Sequence, residues 1–204
     1  MLESNHRFFP ALFWGLFALR YCLLEAYCPK SGAVEVFCPL DSRIPFQEGF
    51  LIFYMLWYVL IVGVHLYTLK TDADIFLRYS RYLVFAFTLS SLFFLAFPSC
   101  QNLRPAAYPR DNLLTRATAV LHKLDTSTNV CPSEHVIGTL GALAAVLHCG
   151  SIPYIGKFSM IFLSLGICLS TVFLKQHSVV DIAAAVPFFL VSYHFSFRKG
   201  SAFS

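Results

Sequence analysis

The chain has 204 residues, 57% of them hydrophobic and 13% charged, with a formal net charge of +4. A soluble domain carries about 25% charged residues, so this composition excludes a soluble globular body. The small, scattered positive balance suits contact with anionic lipid headgroups and gives no basis for nucleic-acid binding.

Apolar runs occupy residues 8–24, 49–69, 82–97, 136–149, 158–174 and 179–197. Each approaches the roughly 20 residues that cross a bilayer as a helix, several at the short end. The expected fold is all-α: one polytopic domain over 1–204, an integral membrane six-helix bundle. The first run follows Asn5-His6-Arg7, which looks like the basic lead of a signal peptide. Arg20 interrupts its far end and no small-x-small cleavage site follows, so it reads as a retained span.

Between the first two runs, Pro29, Gly32, Pro39 and Pro45 punctuate residues 25–48 as a structured loop. The basic segment 70–81 is expected to link spans two and three. In the 98–132 connection, between spans three and four, Leu113, Leu114, Ala117, Val120, Leu121 and Leu124 recur at helical spacing. Asp111 or Asn112 offers an N-cap, and Arg116, His122 and Lys123 take the opposite face. This pattern predicts a short helix lying in the membrane interface. The 150–157 and 175–178 connections are tight, which makes spans four to six neighbours.

Six spans put 70–81 and 150–157 on one side and the longer loops on the other. The basic residues divide evenly between the sides. Setting Arg104 and Lys175 aside for a site tips the balance to a cytoplasmic N-terminus. The protein is then a multi-pass protein of the cell membrane, with its longer loops on the extracytoplasmic face. Cys28, Cys38, Cys100 and Cys131 fall in those loops, either as disulfides in an oxidising exterior or as free buried thiols.

Chemistry concentrates at the edges of the apolar runs. His177 and Asp181 are four apart, on one face of a helix start. A carboxylate there can hold one ring nitrogen and leave the other as a nucleophile, or it can simply answer the helix dipole. Pro132-Ser133-Glu134-His135 opens the fourth run, with Ser133 as N-cap and His135 in the first turn, on the same membrane side. Arg104-Pro105 adds an arginine suited to bidentate phosphate contact, again on that side. Cys149, Cys168, His65 and His148 read as packing groups, and no metal or cofactor is implied.

Taken in order, Arg104-Pro105, then Pro132-Ser133-x-His135, then Ser170-x6-His177-x3-Asp181, the chain resembles the type-2 phosphatidic acid phosphatase superfamily of membrane lipid phosphatases, as a divergent bacterial-type member. The motifs span residues about 98–181. The resemblance implies metal-independent hydrolysis of a lipid phosphomonoester or pyrophosphate through a phosphohistidine intermediate. His177 would be the nucleophile, Asp181 its partner and His135 the general acid, while Arg104 and Ser133 hold phosphate oxygens. Three positions depart from the family pattern. Phe97 stands where a lysine usually opens the first motif, Glu134 where glycine usually precedes the histidine, and Thr171 where an arginine usually follows the serine. Lys175, four residues after Thr171, can return a cation to the vacated face, or snorkel at the end of its span. Glu134 must turn into the headgroups or pair with a cation. Variants lacking the first lysine occur in the branch that moves a phosphoinositol- or phosphocholine-type headgroup to a second lipid alcohol. Transfer and a catalytically altered lipid-binding relative therefore remain alternatives to hydrolysis.

Overall fold

Long runs of Leu, Phe, Ile and Val can satisfy their backbone polar groups away from water only as helices or closed barrels, and the computed structural model of this chain uses helices. It describes residues 9–28 and 32–198; Asn5-His6-Arg7 and Pro29 lie outside them. The helices are α1 (Phe9–Tyr27), α2 (Leu51–Thr71), α3 (Ala73–Ala96), α4 (Leu113–Leu124), α5 (Glu134–His148), α6 (Tyr154–Phe173) and α7 (Val179–Phe197). Strands β1 (Val34–Glu35) and β2 (Ser99–Cys100) form one short parallel pair that ties the two long loops together.

Four stretches are long and apolar enough to cross a membrane: Glu48–Thr71, Ala73–Ala96, Tyr154–Phe173 and Val179–Phe197. The α5 helix is apolar but shorter, at 15 residues. Length and apolarity therefore support a helical membrane protein without reproducing the expected count of six spans.

Helix α3 corrects the expected 82–97 boundary, because it starts at Ala73 directly after α2. Asp72 is the only residue between the two helices, and its side chain accepts from the amide of Ile75 as an N-cap. Asp74 and Arg78 then form an i,i+4 ion pair at 2.8 Å. Those charges lower the hydropathy of 70–81 while favouring a helix.

Helix α5 lies at the centre, against α2, α3, α6 and α7. Its small residues let neighbours approach closely. A Cβ added at Gly141 would collide with the ring of Tyr82, whose hydroxyl donates to the Ile137 carbonyl at 2.7 Å. Large apolar side chains such as Ile52, Val59, Leu92, Phe162 and Leu190 face outward, while Thr68, Ser80 and Thr139 are buried and donate to main-chain carbonyls of their own helices. That distribution suits hydrocarbon surroundings, where apolar surface costs nothing to expose and polar groups need internal partners.

The helix expected in the 98–132 connection is α4, and of the two cap candidates Asn112 is the one used. Leu114 and Leu121 pack on a small core of Phe46, Leu51, Tyr54 and Leu174, while Leu113, Val120 and Leu124 stay exposed. His122 is not on the outer face. Its Nε2 donates to the Leu174 carbonyl at 2.9 Å, so Nδ1 accepts from the Tyr108 hydroxyl at 2.8 Å. Cys38, Cys100 and Cys131 are free thiols, so the disulfide alternative is not realised among them. The Cys28 thiol donates to Asn129 at 2.9 Å.

Candidate active site

The end of the bundle where α1, α3 and α6 finish and α5 and α7 begin gathers most of the buried polar side chains. Ser178 caps α7 in a reciprocal box with Asp181. The Ser178 amide donates to Asp181 Oδ2 at 2.8 Å, and the Val180 amide to Ser178 Oγ at 3.1 Å. Asp41, from the α1–α2 loop, completes the cap. It accepts from the Ser178 hydroxyl at 2.6 Å and from the Val179 amide at 2.9 Å. Burial would raise the Asp41 carboxyl, but hydrogen bonds from Ser178, Val179 and Cys38 outweigh it and hold it below its usual value.

This framework orients His177. Its Nδ1 lies 2.9 Å from the Val130 carbonyl and 3.2 Å from Asp181 Oδ2. Both partners are acceptors, so Nδ1 carries the proton and Nε2 keeps the lone pair. His135, in the first turn of α5, stacks on Tyr54 at 4.2 Å and meets Trp57 in a tilted contact at 4.3 Å. Its ring centre is 5.9 Å from that of His177, and its buried Nε2 has no hydrogen-bond partner. Both histidines line one cavity of about 340 Å³.

Of the six residues expected from sequence, the structure thus brings His135, His177 and Asp181 together, and Ser133 joins them. Ser133 stands at the N-cap of α5, yet its buried hydroxyl caps nothing and bonds nothing. The two cations are placed elsewhere. Arg104 lies behind the cavity wall, donating to the carbonyls of His122 and Asp125 and to the Gln176 side chain at 2.6–2.7 Å. Burial pulls its pKa down, against the opposing charge of Asp125.

Lys175 does not share the face of Thr171, because α6 ends at Phe173 and Lys175 turns into the left-handed region at φ 59°. Its ammonium donates to the carbonyls of Asp41 and Ile44, away from the cavity. Burial lowers the Lys175 pKa, with Asp41 opposing. The expected replacement of the missing arginine therefore fails on backbone geometry.

The cation at the cavity is Arg20, which sequence reasoning took only as an interruption of the first run. Its guanidinium grips Glu134 through two bonds of 2.7 Å and donates to Ser91 at 2.8 Å. Ser90 donates to the same carboxylate, and the guanidinium packs over the rings of Phe17 and Phe87. Of the two outcomes anticipated for Glu134, pairing with a cation is the one adopted. An arginine inside an apolar run was the available signal, since it needs a buried partner. Glu25 and Asp125 also line the cavity, and nothing in the sequence pattern singled them out.

Cys131 sits beside this centre without being a reactive thiolate. Burial first, and then the neighbouring Asp181, push its thiol up to about 12. No family model, curated protein or solved structure matches this chain.

Proposed function

We infer that the protein is a membrane enzyme that cleaves a lipid phosphoester through His177, in the manner of the type-2 phosphatidic acid phosphatases it resembles. The observation that carries this reading is the His177 tautomer: Nδ1–H is held by Val130 and Asp181 while Nε2 is left as a lone pair in a cavity shared with His135. In the first step Nε2 bonds to phosphorus, and the bond to the lipid oxygen breaks. His135 gives a proton to that departing oxygen. In the second, His135 takes a proton from water, whose oxygen displaces His177 and releases the phosphate. A lipid hydroxyl in place of water turns the same chemistry into transfer. The six-span topology and an extracytoplasmic site belong to this proposal.

The test is incubation of the purified protein with lipid carrying labelled phosphate. An acid-labile, base-stable label on His177 is expected, with turnover lost in His177→Ala. Full turnover in that variant would sink the reading. A second reading, a lipid-binding relative without catalysis, is favoured by Arg104 and Lys175 being occupied outside the cavity and Arg20 being spent on Glu134. It requires lipid to bind with no label reaching His177.

A further inference from the structure

Asp125, the residue that caps the C-terminus of α4, gathers side chains from three other parts of the candidate site. The hydroxyl of Tyr54, a fully buried residue of α2, donates to Asp125 Oδ2 at 2.7 Å. Gln176, beside His177 in the turn before α7, donates to the same oxygen at 3.1 Å. Tyr21 of α1 donates to Oδ1 at 3.2 Å. The carboxylate is itself held in place. Arg104 donates to the Asp125 main-chain carbonyl at 2.7 Å and to Gln176 Oε1 at 2.6 Å. These bonds close a ring from the backbone of Asp125 through Arg104 and Gln176 to its own side chain.

The tyrosine held in this way is the one His135 rests on. Tyr54 and Trp57 are three residues apart, on one face of α2, and their ring centres lie 4.2 and 4.3 Å from that of His135. A histidine that acts as a general acid carries its proton as an imidazolium, and His135 is buried, where a charge lacks water. Its Nε2 has no hydrogen-bond partner, so no carboxylate supports the charge at that nitrogen. Aromatic faces can, because the ring quadrupole attracts a cation. A phenol that donates to a carboxylate takes on part of its negative charge, so the bond to Asp125 strengthens that attraction. Asp125 reaches His135 by way of Tyr54.

We propose that Asp125 is a positioning residue for the general acid: it fixes and polarises the Tyr54 ring, and that ring holds His135 oriented and charged for proton transfer. This rests on the phosphoryl-transfer reading above. As His177 Nε2 bonds to phosphorus, the electron pair of the breaking P–O bond goes to the lipid oxygen. That oxygen takes the proton of His135, which becomes neutral. Without the Asp125 carboxylate the Tyr54 ring is free to turn and its face is less negative, so less of His135 holds the proton it must give. An alkoxide departs only with a proton, whereas a nitrophenolate is stable enough to leave without one. The contribution of Asp125 is therefore confined to leaving groups that need the acid.

The experiment gives detergent-solubilised full-length protein two esters: phosphatidic acid, whose leaving group is a lipid alcohol, and nitrophenyl phosphate. Wild type is compared with Asp125→Asn, Tyr54→Phe, the double variant and His177→Ala. Asp125→Asn is expected to lower kcat on phosphatidic acid at least about tenfold, with KM changed less than about twofold. Its loss on nitrophenyl phosphate should be several times smaller, and Tyr54→Phe should reproduce both effects. On phosphatidic acid the double variant should lose little more than either single variant, because both changes cut one path. Equal losses on the two esters mark a merely structural role and overturn the proposal. Additive losses in the double variant, undiminished turnover in Asp125→Asn, or wild-type turnover of nitrophenyl phosphate alone overturn it as well. In each of these cases an inactive His177→Ala leaves the catalytic reading standing. Turnover retained by His177→Ala, or no wild-type turnover of either ester, removes the catalytic reading and the proposal with it.

Discussion

Arg20 and Glu134, 114 residues apart in the chain, meet in a planar fork of two 2.7 Å bonds between α1 and α5. The fork fixes the first helix against the centre of the bundle, beside the two histidines. Removing one partner of a mostly buried ion pair strands the other, at about 3–5 kcal/mol. Arg20→Ala is therefore expected to lower the melting temperature sharply, whereas Arg20→Met with Glu134→Met should recover most of the loss. Thermal unfolding in one detergent checks both, and a recovery no better than the single variant would contradict the account.

Asp181 accepts from His177 Nδ1–H at 3.2 Å. Replacing it with Asn removes the carboxylate acceptor for Nδ1–H and disturbs the reciprocal cap with Ser178. If phosphoryl transfer is the activity, Asp181→Asn should lower kcat by at least about 100-fold with a smaller change in KM. Steady-state kinetics on a lipid phosphoester measures this split.

His122 makes stability depend on pH. Burial first, and then the nearby Arg104, pull its pKa down to about 4, against the bond to Leu174. Unfolded, the imidazole takes a proton near pH 6.5, so the unfolded chain binds more protons between those values. Stability is then full above pH 6.5 and declines as pH falls toward 4. For a partly exposed group the effect is about 1 kcal/mol. The fall in melting temperature from pH 7 to pH 5 should be smaller in His122→Gln, and an equal fall in both proteins would refute the assignment.

Gly141→Ala should destabilise although alanine is the better helix former by about 1 kcal/mol. The added methyl meets the Tyr82 ring, which its hydrogen bond to Ile137 holds in place. Overpacking of this kind costs about 1–3 kcal/mol. Gly141→Ala with Tyr82→Phe should regain part of the loss, because the ring is then free to shift.

Lys175→Met should reduce stability while leaving substrate KM within about twofold, since the ammonium bonds to Asp41 and Ile44 rather than facing the cavity. A tenfold rise in KM at unchanged stability would return Lys175 to the substrate site.

How legible each part was in the sequence follows from the range of the forces involved. The start of α7 at Val179 was readable because an apolar run opens there, and α4 was readable from its leucine spacing with Asn112 as one of two cap candidates. The start of α3 was missed because hydropathy counts Asp74, Arg78 and Arg81 as breaks, whereas a helix can pair or expose such charges on one face. Lys175 was misplaced because an i,i+4 argument assumes an unbroken helix, and α6 ends two residues earlier. His135 and His177 could be nominated from motif order, but Arg20, Asp41 and Asp125 reach the site across long stretches of chain that no local pattern encodes.

The cap on α7 has an effect on solution conditions. With the leading amides Ser178, Val179 and Val180 taken by Asp181, Asp41 and Ser178, the positive pole of that helix is already titrated by the protein's own oxygens. Chloride, sulfate or inorganic phosphate therefore finds none of these three amides free beside His177. Binding of small anions at this helix start should then be weak, and nearly indifferent to which anion the buffer supplies.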